Sequence, residues 1–193
     1  MSATRIKNVI LPMLLEQSRN NTYLDIGANV GNTTLPCINF FKRIHSFEPN
    51  PNAILNFKEN VLSHNVTLHE LAISNFQGTA TLTEPNNNSE FSTISERRLK
   101  RWEGRRNNKY KRYDVDVRSI DSFNFENVDF IKIDTEQSEN EVIEGCLETI
   151  KRCSPIIFME NKRKEAAIAK DMIIKLGYNF STHKADVLFT KRS

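Results

Sequence analysis

The sequence has no cysteine framework, no dinucleotide fingerprint, no long apolar run and little net charge. Its three cysteines, Cys37, Cys146 and Cys153, form no C-x-x-C pair. That excludes a disulfide-stapled scaffold and weakly favours a reducing compartment. The run from Val9 to Leu15 is short and broken by Pro12, and no run is long enough to span a bilayer. The expectation is a cytoplasmic chain with no signal peptide, its residues 4–18 forming a helix on a sheet edge. A net charge of +3 is too small to argue nucleic-acid binding from the total. His45, His64, His69 and His183 make no metal set and no pairing with a nucleophile. A length of 193 residues suits one domain with one core, and no repeat or domain boundary interrupts 1–193.

What is present is organised around residues 22–34, TYLDIGANVGNTT. Tyr23, Leu24 and Ile26 read as a buried strand, Gly27 and Gly31 bracket a turn, and residues 32–42 follow as an amphipathic helix. Strand, Gly turn and helix present backbone N–H groups to a ligand. The pattern is D-x-G-x-x-x-G rather than G-x-G-x-x-G. A carboxylate at Asp25 would repel a pyrophosphate and suit an ammonium or sulfonium group. That favours S-adenosylmethionine over a nicotinamide dinucleotide. A second strand, residues 44–47, ends at Glu48, placed to accept hydrogen bonds from ribose hydroxyls.

Further along, residues 51–62 predict a helix with Ile54, Phe57, Val61 and Leu62 inward, and 66–73 a third strand. Residues 79–83 and 113–117 read as an added β-hairpin. Between them, about 85–112, lies a basic lid-like insertion carrying Arg97, Arg98, Lys100, Arg101, Arg105 and Arg106. It suits an anionic glycan or nucleotide sugar, with Trp102 and Tyr110 either stacking on a sugar or anchoring the lid. A buried strand at 128–133 ends in Asp134-Thr135-Glu136, a helix spans 139–152, and a strand at 155–159 ends in Glu160-Asn161. A last helix and an antiparallel pair close an α/β sandwich with a mostly parallel sheet.

These pieces together resemble the FkbM-type methyltransferases, within the Rossmann-like S-adenosylmethionine-dependent class. The matching stretches are LDIGANVG at 24–31, SFEPN at 46–50, LAIS at 71–74, SIDS at 119–122 and VDFIKIDTE at 128–136. The resemblance implies a class I sheet of seven strands, the last antiparallel, and methyl transfer to oxygen, often a sugar or polyketide hydroxyl. It implies cofactor contacts from Asp25, Gly27, Ala28, Asn29, Gly31, Asn32, Thr33, Glu48, Pro49 and Ala72. One departure stands out: Gln137-Ser138 occupies the place where the family has Gly and a small residue.

Acids at the strand ends allow two chemistries. Asp134 or Glu136 acts as general base on the acceptor hydroxyl, with Lys132 orienting Asp134. Alternatively Asp134, Glu160 and Asn161 hold a divalent cation, magnesium or manganese, that acidifies that hydroxyl. The favoured partner is a small-molecule or glycan hydroxyl acceptor. Less favoured are an RNA ribose 2′-O-methyltransferase, for which Lys132, Asp134 and Lys162 are the comparable residues, and a non-catalytic S-adenosylmethionine-binding subunit. Oligomeric state is left open.

Overall fold

Strand β1, Thr22–Ile26, is buried along its whole length and sits at the centre of a seven-stranded sheet. The computed structural model describes residues 3–86, 88–102, 109–160, 167–183 and 185–191. In chain order, α1 (Ala3–Arg5), a π turn (Ile6–Ile10) and α2 (Leu11–Glu16) precede β1. Then come β2 (Arg43–Phe47), α3 (Pro51–Asn60), β3 (Val66–His69), β4 (Ala72–Ile73) and β5 (Gly78–Pro85). After them follow α4 (Glu96–Trp102), β6 (Tyr110–Arg118), β7 (Val128–Ile133), α5 (Glu139–Glu144) and α6 (Leu147–Cys153). The described chain ends with β8 (Ile156–Glu160), α7 (Ala167–Lys175), β9 (Tyr178–His183) and β10 (Asp186–Lys191).

The sheet runs β3-β2-β1-β7-β8-β10-β9, with β10 antiparallel to both neighbours and the first five strands parallel. Side chains alternate between its faces. Tyr23 and Phe130 point to the N-terminal helices, where Ile6, Ile10 and Leu14 are buried, and their rings stack at 4.8 Å. Leu24, Ile26, Ile131 and Ile133 point to the other side, against Val142, Ile143 and Ile150. Burial on both faces is why these strands read as continuous apolar runs.

Four expectations change. Residues 32–42 give only a 3-10 turn, Leu35–Cys37, with Leu35 exposed. The Thr33 and Thr34 hydroxyls donate to Asp25 Oδ2 at 2.9 and 2.7 Å, local bonds that compete with a helix. Residues 66–73 are two strands: β3 pairs with β2, whereas β4 joins β5 and β6 in a separate three-stranded sheet. Leu62 lies past the end of α3 and is exposed. The single helix expected over 139–152 is two. Gly145 O accepts from Asp121 N at 2.9 Å, and Asp121 then caps α6 through Glu148 N and Thr149 N. The predicted hairpin is present, β5 pairing antiparallel with β6 from Gly78 to Pro85.

Candidate active site

Beyond the C-terminal ends of β1, β2, β7 and β8 lies a cavity of about 420 Å³. Such strand ends are where open α/β sheets bind ligands. One wall is the Gly turn and the acid of β2. Gly27, Ala28, Asn29, Asn32, Thr33, Glu48, Pro49 and Ala72 all line it, as the sequence suggested. Glu48 is buried; its Oε2 accepts from Asn29 N and its Oε1 from Asn50 N, each at 2.8 Å. Burial pushes its carboxyl up to about 7, against the lowering effect of those two N–H groups.

Asp25 and Gly31 do not line the cavity. Asp25 has no exposure, and its Oδ1 lies 3.1 Å from Lys132 Nζ, its register partner on β7. Lys132 therefore pairs with Asp25, and its ammonium also feels the charge of Asp134. Its ammonium also donates to Gly27 O at 2.5 Å, tying the turn to the sheet. Burial works against that ammonium, but the carboxylates of Asp25, Asp134 and Glu48 outweigh it and hold its pKa above the ordinary lysine value. The glycines also serve packing. A Cβ on Gly27, at φ +76°, would lie 2.0 Å from Asp134 O, and one on Gly31 would lie 2.4 Å from a Val61 methyl.

The opposite wall gathers the acids. Carboxylate oxygens of Asp134, Glu136 and Glu160 lie within 4.8 Å of one another. Hard oxygen donors at this spacing fit a divalent cation, with Glu136 in the set. Asn161, the other expected ligand, lies outside the described residues, as does Lys162. Burial also raises the Glu139 carboxyl to about 7, helped by Glu160 and Asp134 and opposed by backbone N–H groups including that of Gln137.

A roof that the sequence reading did not resolve covers the cavity. Ser89, Glu90, Phe91, Ser92, Thr93 and Ile94 all line it. Thr93 is bridged to Thr83 of β5, and its hydroxyl donates to Glu136 O at 2.9 Å. Arg98 on α4 is buried and forms an ion pair with Glu136 through Nη1. Buried Asn50 binds the roof to α3 and β5, donating to Glu84 Oε2 at 2.7 Å and Ser92 Oγ at 2.8 Å. The one usable signal for this roof was its abrupt change of composition; the pairing of Arg98 with Glu136 had none. Trp102 is buried and stacks on Tyr110, whose hydroxyl donates to Trp102 O, so this pair anchors the lid.

The sheet order, the acid on β2 and a second small sheet define a Rossmann-like class I methyltransferase fold. The family model described as the methyltransferase FkbM domain matches residues 25–182, and the chain belongs to that family. No curated protein matches the sequence. Among solved structures, it is similar to the methyltransferase FkbM from Methylobacillus flagellatus KT, at 16% identity and TM-score 0.62. That match covers 89% of this chain but 44% of the other, so this chain spans under half of that protein. The magnesium protoporphyrin IX methyltransferase of Synechocystis PCC 6803, with bound SAM, matches at 8% identity and TM-score 0.53, covering 97% and 79% of the two chains. The SAH-bound methyltransferase of Podospora anserina matches at 12% and 0.53, covering 100% and 80%. At such identities these structures speak for the fold alone. No helix among the described residues is long and apolar enough to cross a membrane.

Proposed function

We propose that this chain transfers a methyl group from S-adenosylmethionine to a hydroxyl of a sugar, glycan or related small molecule. The observation that carries this reading is one cavity with the Gly turn and Glu48 on one side and the Asp134, Glu136 and Glu160 carboxylates on the other. Glu48 fits a nucleoside: each carboxylate oxygen accepts one backbone N–H and keeps capacity for a ribose hydroxyl. S-adenosylmethionine, when bound, supplies an electrophilic sulfonium methyl group. In this reading Asp134, which lines the cavity, accepts the acceptor's proton. Arg98 gives the acid cluster a cation of its own. A magnesium or manganese ion would be held by Asp134, Glu136 and Glu160 and would acidify the hydroxyl.

The RNA alternative, built on Lys132, Asp134 and Lys162, predicts strong salt-sensitive RNA binding, although Lys132 is buried and paired with Asp25. The test is calorimetric titration with S-adenosylhomocysteine, with and without magnesium or manganese, beside a turnover assay. Asp134→Asn should keep the affinity for S-adenosylhomocysteine while lowering turnover by about 10²-fold or more, the usual weight of a general base. Near-normal turnover would remove Asp134 from the chemistry. A metal-dependent heat lost in Glu160→Gln would favour the cation route.

A further inference from the structure

The roof of the cavity is tied to both walls, and its ties to the acid wall converge on one residue. Toward the cofactor wall, Ser92 Oγ accepts from Asn50 Nδ2 at 2.8 Å, and Ser89 Oγ lies 3.4 Å from Asn29 Nδ2 on the Gly turn. Asn50 is itself fixed. Its Oδ1 caps α3 through Asn52 N and Ala53 N, and its Nδ2 also donates to Glu84 on β5. The roof is closed on β5 by the Thr83–Thr93 bridge, with N–O distances of 2.9 and 3.1 Å. These bonds shape the roof and seat it on β5 without any contribution from the acid wall.

Toward the acid wall the ties are of another kind. The Thr93 hydroxyl donates to Glu136 O at 2.9 Å, and Arg98 pairs with the Glu136 carboxylate through Nη1. Backbone and side chain of a single residue are thus both held from the roof. Glu136 and Gln137 sit at φ +53° and +82°, backbone that an L residue keeps only under outside constraint. On the roof side, the Arg98 guanidinium lies 5.0 Å from the Trp102 ring centroid and 5.8 Å from that of Phe91. Its ion pair is shielded from water, the side chains of Arg98 and Glu136 being 7% and 17% exposed, so breaking it is costly.

We infer that Arg98 and Thr93 latch the roof onto Glu136, and that this latch gates the exchange of S-adenosylhomocysteine for S-adenosylmethionine; this rests on the methyl-transfer reading above. Arg98 acts through Glu136 and is a positioning residue. The roof turns on its seat at β5 and Asn50 and parts from the acid wall at Glu136. A gate of this kind slows entry and exit together and leaves affinity nearly unchanged, because it restrains the path rather than the bound state.

The test uses the whole chain and isotope-labelled S-adenosylhomocysteine, with association and dissociation rate constants from rapid filtration. Acrylamide quenching of Trp102 reports the roof, since this is the sole tryptophan and lies on α4. Arg98→Met keeps an apolar stem but cannot pair. It should raise both rate constants about tenfold, the scale of one lost charged hydrogen bond, with affinity little changed. Thr93→Val should raise both by a smaller factor, and Arg98→Lys should bring both back towards the wild type. Arg98→Met combined with Glu136→Gln should be no faster than either alone, because the two residues act as one pair. Quenching of Trp102 should rise in Glu136→Gln. Where Arg98→Met loses its melting transition, Thr93→Val and Glu136→Gln decide by the same rates. Unchanged rates in the folded variants overturn the inference, as does Trp102 quenching no greater in Glu136→Gln than in the wild type. So does faster release without faster entry, which marks a lost ligand contact rather than a lost gate. Failure of the wild-type protein to bind S-adenosylhomocysteine overturns the methyl-transfer reading and the inference with it.

Discussion

Glu48 shows how one buried carboxyl links the cofactor wall to pH. Its carboxyl is held up to about 7 by burial, so it carries a proton over much of the range in which ordinary glutamates are ionised. Ribose hydroxyls donate best to the ionised form. Binding of S-adenosylhomocysteine should therefore strengthen by about tenfold from about pH 6 to about pH 8, with proton release on binding below neutrality. Calorimetry in buffers of different ionisation enthalpy measures both. A flat affinity would separate Glu48 from the ribose. Gln137 tells a second residue-scale story. It sits at φ +82°, at the place where the family resemblance implies glycine, and such a backbone costs an L residue about 1–2 kcal/mol. Gln137→Gly should raise unfolding stability by about 1 kcal/mol in denaturant titration. No gain would mean that the glutamine side chain repays the strain through its own contacts.

Among the elements, the break between α5 and α6 was invisible in the apolar spacing of 139–152. Val142, Ile143, Cys146 and Ile150 are all buried, as a continuous helix would also have them. The break comes from a distant partner: Asp121 takes the Gly145 carbonyl and caps the next helix. Gly145 itself touches the loop after β4, and a Cβ there would lie 2.2 Å from Ser74 O. Gly145→Ala should therefore destabilise the protein by about 1–3 kcal/mol, the cost of overpacking against backbone that cannot step aside. Thermal melting checks this; an unchanged midpoint would show that the two helices can slide apart. In the lid, helix α4 spans Glu96–Trp102. That Arg98 turns inward to Glu136 depends on where the 134–137 loop lies.

For the whole molecule, two sets of buried groups oppose each other as pH changes. His45 and His69 have ring nitrogens 3.1 Å apart; burial lowers both, and His45 falls to about 4 from 6.5. The unfolded chain then binds more protons, so the pair removes stability as pH falls from 6.5 towards 4. Glu48 and Glu139, raised to about 7 from 4.5, bind more protons when folded, so they remove stability as pH rises between those values. The slopes cancel in part, and the melting temperature should vary little from about pH 4.5 to about pH 6.5. His45→Gln removes the larger part of the histidine side of the balance and leaves His69. Its stability should rise on acidification from pH 7 to pH 4.5, by about 1 kcal/mol relative to the parent after allowance for partial exposure. A variant with an equally flat profile would show that the histidines titrate normally.

The alternation of strands and helices and the end of β2 at Glu48 were legible in the sequence, because they rest on local chemistry, whereas the seven-stranded sheet was implied by the family resemblance. Apolar runs bury on both faces of a parallel sheet, Gly27 permits its turn, and Glu48 ends a strand. Three features needed the tertiary structure: the Asp25–Lys132 pair, the packing against Gly27 and Gly31, and the Arg98–Glu136 lock. Each joins residues far apart in the chain or depends on what a neighbour has already covered. A carboxylate in a one-dimensional sequence carries its charge but not its partner. Only the folded chain decides whether that charge meets a lysine, an arginine or a ligand.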